Sequence, residues 1–177
     1  AHGDDETGRP VVSATRWSGR TELFMEYPVL VGGESSRAAI HVTDLSDFSP
    51  VAAGEVIVGL RGADGRSYEF RGEPSQPGIF GVDIQMDRPG TYDMTLRVEA
   101  PGLGDTHELG PVTVHPFTPE LPHEGEKAGE IAFLKEQQWT LEFGTVPAEL
   151  RSLRSSFTVP AVIRPRTGGE VTLTAPV

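Results

Sequence analysis

Histidine and carboxylate side chains lie side by side at two places in the sequence, and these residues are the best suited to chemistry. His2 is followed by Asp4, and His123 is followed by Glu124. Imidazole nitrogens and carboxylate oxygens bind zinc and copper, and a free amino group beside His2 would add a nitrogen. We therefore predict two weak metal sites, with copper or zinc as cargo and no resident cofactor. The competing interpretation is a solvated acidic tail and linker.

Residue patterns typical of catalysis are missing from the sequence. There is no cysteine, so a thiolate nucleophile or a thiolate metal site is excluded. The chain has no nucleophile elbow, phosphate loop or HExxH motif, and none of its many carboxylates stands out as an acid/base pair. We predict that the protein is not an enzyme.

The charge of the chain limits its partners. The formal net charge of -11 disfavours nucleic acid and anionic membranes, which need a basic face. No run reaches the roughly 18 apolar residues of a membrane span. Because the sequence begins Ala-His rather than with Met, we expect an exported chain whose signal peptide has been removed, which would place it in the periplasm.

Apolar residues recur with a period of two along most of the sequence, which is typical of β-strands with one buried face. The clearest case is TYDMTLRVEA, in which Tyr92, Met94 and Leu96 share one face. Seven or eight such segments are separated by turn signals such as GADG. We predict an all-β protein, with an immunoglobulin-like β-sandwich over residues 10–116 that follows a flexible acidic N-terminus, 1–9.

The hydrophobic period changes after the sandwich. Residues 117–129 are rich in proline and read as a linker. The joint at 130–143 is predicted as about two turns of helix that continue into a strand near Trp139. So short a helix needs a docking surface, and Trp139 is interpreted either as its anchor or, like Trp17, as a platform for ligand stacking.

The last fifty residues resemble a known family. FLKEQQW (Phe133–Trp139), SFTVPAVIRP (Ser156–Pro165) and VTLTAPV (Val171–Val177) match, in kind and order, the region before the lipoyl-like domain of periplasmic adaptor subunits of RND-type efflux pumps, also called membrane fusion proteins. The likeness is strongest to the heavy-metal branch. Upstream, TELFMEYPVLVGGESSRAAIHVTDLSDFSPV and LGPVTVHP are similar to an N-terminal sandwich found in some adaptors.

The resemblance implies the N-terminal part of an adaptor that bridges an inner-membrane RND transporter and an outer-membrane channel, is associated with the inner membrane and self-associates. It also implies that residues 144–177 are the truncated start of a membrane-proximal β-barrel and a lipoyl-like domain, with Val171–Val177 as the first lipoyl-like strand. The α-helical hairpin, the second lipoyl half and a methionine-rich copper site have no counterpart in this sequence. Two alternatives stay open. One is a free-standing exported module that binds a metal ion or a glycan, and the other is a structural spacer.

Overall fold

The computed structural model describes residues 8–119, 133–141 and 143–150, together with 152, 157–160, 162, 166 and 169. The chain divides into two compact units, 1–147 and 148–177. The strands and the one short helix of the described residues all lie in the first unit. No described helix is long and apolar enough to cross a membrane.

Eleven strands and one helix make up the described regular structure. Their bounds are β1 Val11–Trp17, β2 Thr21–Pro28, β3 Leu30–Val31, β4 Ser35–Asp44, β5 Ser49–Pro50, β6 Glu55–Gly62, β7 Ser67–Gly72, β8 Pro74–Gln76, β9 Ile79–Gln85, β10 Gly90–Ala100, β11 Leu103–His115 and α1 Lys135–Gln138. This composition confirms the predicted all-β fold class.

The strands form two sheets that enclose one core. The first sheet has the order β1-β2-β4-β9-β8, with β5 paired to β4, and the second has the order β3-β11-β10-β6-β7. All pairings are antiparallel except that of β3 with β11. Side chains from both sheets meet in a single hydrophobic cluster, which gives the first unit a sandwich-like architecture.

The alternating residues of the sequence form this core. The largest fully buried side chains include Leu23, Met25 and Ile40 from the first sheet and Leu60 and Leu96 from the second. Their neighbours along each strand point away from the core because successive residues of a strand face opposite sides of the sheet. Burying such side chains is the main favourable contribution to folding.

The predicted GADG turn joins β6 to β7. The amide of Gly65 donates to the carbonyl of Gly62 at 3.0 Å, and the amide of Gly62 donates to the carbonyl of Arg66 at 2.9 Å. Gly65 has φ +80°, a left-handed conformation that glycine adopts readily. The turn therefore forms where the sequence predicts it.

The predicted helix and strand at 130–143 are corrected by the structure. The described helix has one turn, because Leu134 is extended (φ -66°, ψ 152°) and residues 139–141 form a turn and a bend. No described residue from 139 to 150 is in a strand. The alternation of Trp139, Leu141 and Phe143 therefore does not mark a strand here, since no neighbouring strand pairs with these residues.

The second unit is described at few positions. Residues 148–150, 152, 157–160, 162, 166 and 169 contain neither strand nor helix. Leu150 and Phe157 are largely exposed, and the amide of Gly169 donates to the carbonyl of Arg166 at 2.7 Å. The lipoyl-like strand predicted over Val171–Val177 lies outside the described residues.

Candidate functional site

The outer face of the first sheet carries an unusual set of polar and aromatic side chains. Strand pairing places Trp17 opposite Glu22, and Glu22 opposite Thr43. In the next row, Phe24 lies opposite His41. Opposed residues of antiparallel strands share one face of the sheet. An outer face normally meets water, but Glu22 and Thr43 are only 3% and 4% exposed.

A segment of the chain after the sandwich covers this face. We call residues 133–141 and 143–145 the strap. Lys135, at the start of α1, places its Nζ 2.6 Å from Oε1 of Glu22, and the exposed fractions of the two side chains are 11% and 4%. A buried carboxylate needs such a partner, because an isolated buried charge is strongly unfavourable. The ion pair therefore ties α1 to β2.

Trp139 anchors the strap to the sheet. Its Nε1 donates to Oγ1 of Thr43 at 2.8 Å. Its ring lies so close to Gly78 that an added Cβ there would collide with the indole and would also lie 2.6 Å from Cβ of Pro50. The glycine therefore leaves space for the tryptophan. This position agrees with the anchor interpretation of Trp139.

His41 links the aromatic row to the strap. Its ring centroid lies 5.7 Å from that of Phe24 and 6.0 Å from that of Trp139. Its Nε2 donates to Oε1 of Glu136 at 3.0 Å, while its Nδ1 is buried without a hydrogen-bond partner among the described residues. The alternation of β4 places His41 on the outward face of its strand and so predicts a surface residue, but the strap leaves its side chain only 11% exposed.

Glu136 is held ionised by these contacts. Burial by itself would raise the pKa of its carboxyl, but hydrogen bonds from its own backbone amide and from His41 outweigh burial, so the pKa is lowered.

Farther along the strap, Thr145 accepts a hydrogen bond at 3.3 Å from Nε1 of Trp17. Both tryptophans thus bind the strap to the same sheet face.

A second polar cluster lies near the start of β2 and on β11. Thr21 is fully buried and His107 is 3% exposed. Oγ1 of Thr21 lies 2.7 Å from Nε2 of His107 and donates to Oδ2 of Asp105 at 2.5 Å. Ser18 also donates to that carboxylate oxygen. The cluster connects the two sheets through hydrogen bonds, since β2 belongs to the first and β11 to the second.

The cluster contains hydroxyl, imidazole and carboxylate groups, yet its geometry differs from that of a catalytic triad. In a triad the carboxylate orients the ring nitrogen opposite the nucleophile. Here Oδ2 of Asp105 lies 3.7 Å from Nε2 of His107, the nitrogen that already contacts Thr21. The fully buried hydroxyl of Thr21 is also out of reach of a substrate. The arrangement is therefore suited to stabilising the fold.

Burial sets the protonation of this cluster. Burial lowers the pKa of His107, nearby Arg16 lowers it further, and Asp105 opposes them without reversing the direction. Burial would raise the pKa of Asp105, but hydrogen bonds from Ser18, Thr21 and the Thr106 amide outweigh burial and lower it. His107 is consequently neutral and Asp105 ionised near neutral pH.

The predicted metal ligands fall outside the structure. His2, Asp4, His123 and Glu124 are not among the described residues, so their arrangement stays a prediction. Within the described part of the chain, no group of three or more His, Asp or Glu side chains could hold a metal ion.

The buried position of His107 was not predicted from the sequence. Leu103, Asp105, His107 and Leu109 alternate along β11 with Gly104, Thr106 and Glu108. A period of two around a histidine places it on the same strand face as the leucines. That pattern would have predicted a buried imidazole next to a carboxylate.

Comparisons of the chain with protein-family models, curated proteins and solved structures find no match.

Proposed function

We propose that this chain is the N-terminal part of a periplasmic adaptor that joins an inner-membrane RND transporter to an outer-membrane channel in heavy-metal efflux. In this role the immunoglobulin-like sandwich is a scaffold and does no chemistry. The proposal rests on the sequence resemblance described above, and the docked strap is the structural observation that supports it.

A scaffold that connects larger partners is more rigid when the segment that follows a domain is held against that domain. The strap is held through the buried Lys135–Glu22 pair at 2.6 Å and the Trp139–Thr43 hydrogen bond at 2.8 Å. A helix of one turn has no stability of its own in water. Its docking on the sheet therefore keeps this part of the chain in place.

The free-standing binding module is the alternative. It predicts a ligand held without any partner chain, whereas the adaptor role predicts physical association with transporter and channel. The acidic composition suits a module that handles cations. The adaptor role is preferred because the sequence resemblance and the docked strap both support it.

Deletion of the parent gene in its source organism tests the proposal. We expect lower tolerance to silver, copper, zinc or cobalt ions, restored by the wild-type gene. A version with Lys135→Met should restore less, because it removes the partner of buried Glu22. Arg37→Gln is the matched control, since Arg37 lies on the same sheet with its side chain 66% exposed, and it should restore tolerance fully.

Cross-linking in intact cells tests the partners directly. We expect the chain to be recovered with one inner-membrane transporter and one outer-membrane channel, identified by mass spectrometry. Unchanged metal tolerance after deletion, together with no cross-link to either class of membrane protein, would reject the adaptor role. The free-standing binding module would then be the better account.

A further inference from the structure

An open cleft of about 540 Å³ lies between the strap and the loop that joins β4 to β5. Residues 47–50 line one side, and the other side is formed by strap residues: Trp139, Thr140, Leu141, Phe143 and Gly144. Clefts that bind small molecules typically measure about 300 to 1,000 Å³. The cleft therefore has room for a small ligand.

Large apolar side chains stand uncovered in this cleft. Phe48 is 38% exposed, Phe143 is 40% exposed and Leu141 is 61% exposed. Trp139 adds a third aromatic ring to the lining. Grouped apolar exposure of this kind marks surfaces that bind something, whereas single exposed apolar residues need no explanation. The lining thus favours a ligand with an apolar or aromatic body.

The backbone at Phe48 is held in an uncommon conformation. Its φ of 58° is the one positive value found among the described non-glycine residues. Its ring packs on Gly144 so closely that an added Cβ there would lie 2.5 to 2.8 Å from the ring atoms. Strained residues concentrate at binding sites, where the surrounding structure maintains them. The conformation presents the Phe48 ring to the cleft.

The described lining is negatively charged. Asp47 is the one ionisable side chain among the lining residues that the structure describes, and these include neither lysine nor arginine. Its Oδ1 accepts a hydrogen bond from the amide of Ser49 at 2.9 Å. Bonds from the side chain and backbone of Ser49 lower the pKa of Asp47. The carboxylate is therefore ionised throughout the neutral range and attracts a cation.

We propose that this cleft binds a small organic cation, a quaternary or protonated amine carried on an apolar or aromatic body. Aromatic faces attract cationic nitrogen through the ring quadrupole, most strongly for tryptophan. The carboxylate of Asp47 complements the ligand's charge, and the exposed Leu141 and Phe143 complement its body. This binding activity is separate from the adaptor role and stands or falls independently of it.

Titration with benzyltrimethylammonium tests the proposal on the whole chain. Neopentylbenzene, in which carbon replaces the charged nitrogen, is the neutral control of the same shape. The indole N–H resonance of Trp139 in a ¹H–¹⁵N spectrum reports binding beside the strap. We expect saturable shifts of that resonance with the cation and at least about fivefold weaker binding of the neutral compound.

Two substitutions locate the site. Asp47→Asn keeps an acceptor for the Ser49 amide but removes the charge, and should weaken binding about threefold. Phe48→Asn removes the ring while suiting the left-handed backbone, and should weaken binding about fivefold. Asp64→Asn is the matched control, since Asp64 accepts a bond from the Arg66 amide in a turn that is not part of the cleft lining. It should leave binding unchanged.

Three results would overturn the proposal. They are equal binding of the neutral compound, an unshifted Trp139 resonance at saturating cation, and equal losses in Asp47→Asn and Asp64→Asn. Asp47→Asn keeps the size and shape of the side chain, so it remains informative if Phe48→Asn fails to fold. A concentration-dependent dimer in sedimentation whose formation protects Trp139 would assign the cleft to a second copy of the chain and would also reject the proposal.

Discussion

Replacement of Lys135 by methionine should release the strap from the sheet. Glu22, which is 4% exposed, would lose the ammonium group that now lies 2.6 Å from it. Removing one partner of a buried ion pair typically costs about 3–5 kcal/mol, because the other charge stays buried and uncompensated. A single neutral hydrogen bond, such as that from Trp139 to Thr43, contributes about 1 kcal/mol.

Undocking of the strap from the sheet would remove this free-energy cost, because the Glu22 carboxylate would then be in contact with water. Lys135→Met therefore cannot lower the free energy of unfolding by more than the free energy with which the strap docks on the sheet. We expect the sheets to remain folded while the strap undocks. Local opening of this kind requires far less energy than global unfolding.

Fluorescence and proteolysis measure the undocking. The chain has two tryptophans, so Trp17→Phe in every variant leaves Trp139 as the single reporter. Lys135→Met should shift its emission to the red and speed proteolytic cleavage within residues 133–141. Far-ultraviolet circular dichroism should change little, because the strands do not depend on the strap.

The double variant Lys135→Met/Glu22→Leu separates charge from packing. Replacing a buried pair by apolar residues is often neutral or stabilising, so emission and cleavage should return toward those of the parent. If Lys135→Met alone matched the parent in emission and cleavage rate, the ion pair would not hold the strap.

Three further predictions test other contacts. Gly78→Ala and Gly65→Ala both place alanine at φ +80°. Gly78→Ala should lower the urea-derived unfolding free energy by about 1–3 kcal/mol more than Gly65→Ala, because the added Cβ collides with Trp139 at Gly78 but has no atom within 4 Å at Gly65. Equal losses of unfolding free energy in the two variants would contradict this prediction. Burial lowers the pKa of His107 below its ordinary 6.5, so the unfolded chain binds the proton first as pH falls. The free energy of unfolding of the wild type should therefore fall as the pH is lowered from about 7.5 to 5.5, and that of His107→Gln should fall less. Urea unfolding of both proteins over this pH range measures the two losses, and equal losses would contradict the prediction. Arg9→Gln should lower the free energy of unfolding in urea by about 2–4 kcal/mol, because buried Arg9 donates to the Ser35 carbonyl at 2.7 Å and to Oγ of Ser36 at 3.0 Å. A loss under about 0.5 kcal/mol would contradict this prediction.

The period-two pattern was sufficient to predict the longer strands and their inward faces, whereas the short strands β3, β5 and β8 were not predicted. Tyr92, Met94 and Leu96, which share one face of the predicted strand, all point into the core. These predictions succeed because alternation along a strand is a local property of the backbone. The helix length and the strand after Trp139 were predicted wrongly, because short apolar patterns do not show whether a partner strand lies alongside.

Composition and local pattern by themselves determined that this protein is built from β-strands, that it carries strong negative charge, and that Trp139 belongs to a segment in need of a docking surface. The tertiary structure alone decided that Glu22 and His41 lie beneath the strap and that Asp105 and His107 form a buried network with Thr21. Burial of a polar side chain on an outer strand face depends on what crosses that face. The covering residue Lys135 is more than one hundred positions away from Glu22 in the sequence, so no local pattern contains it.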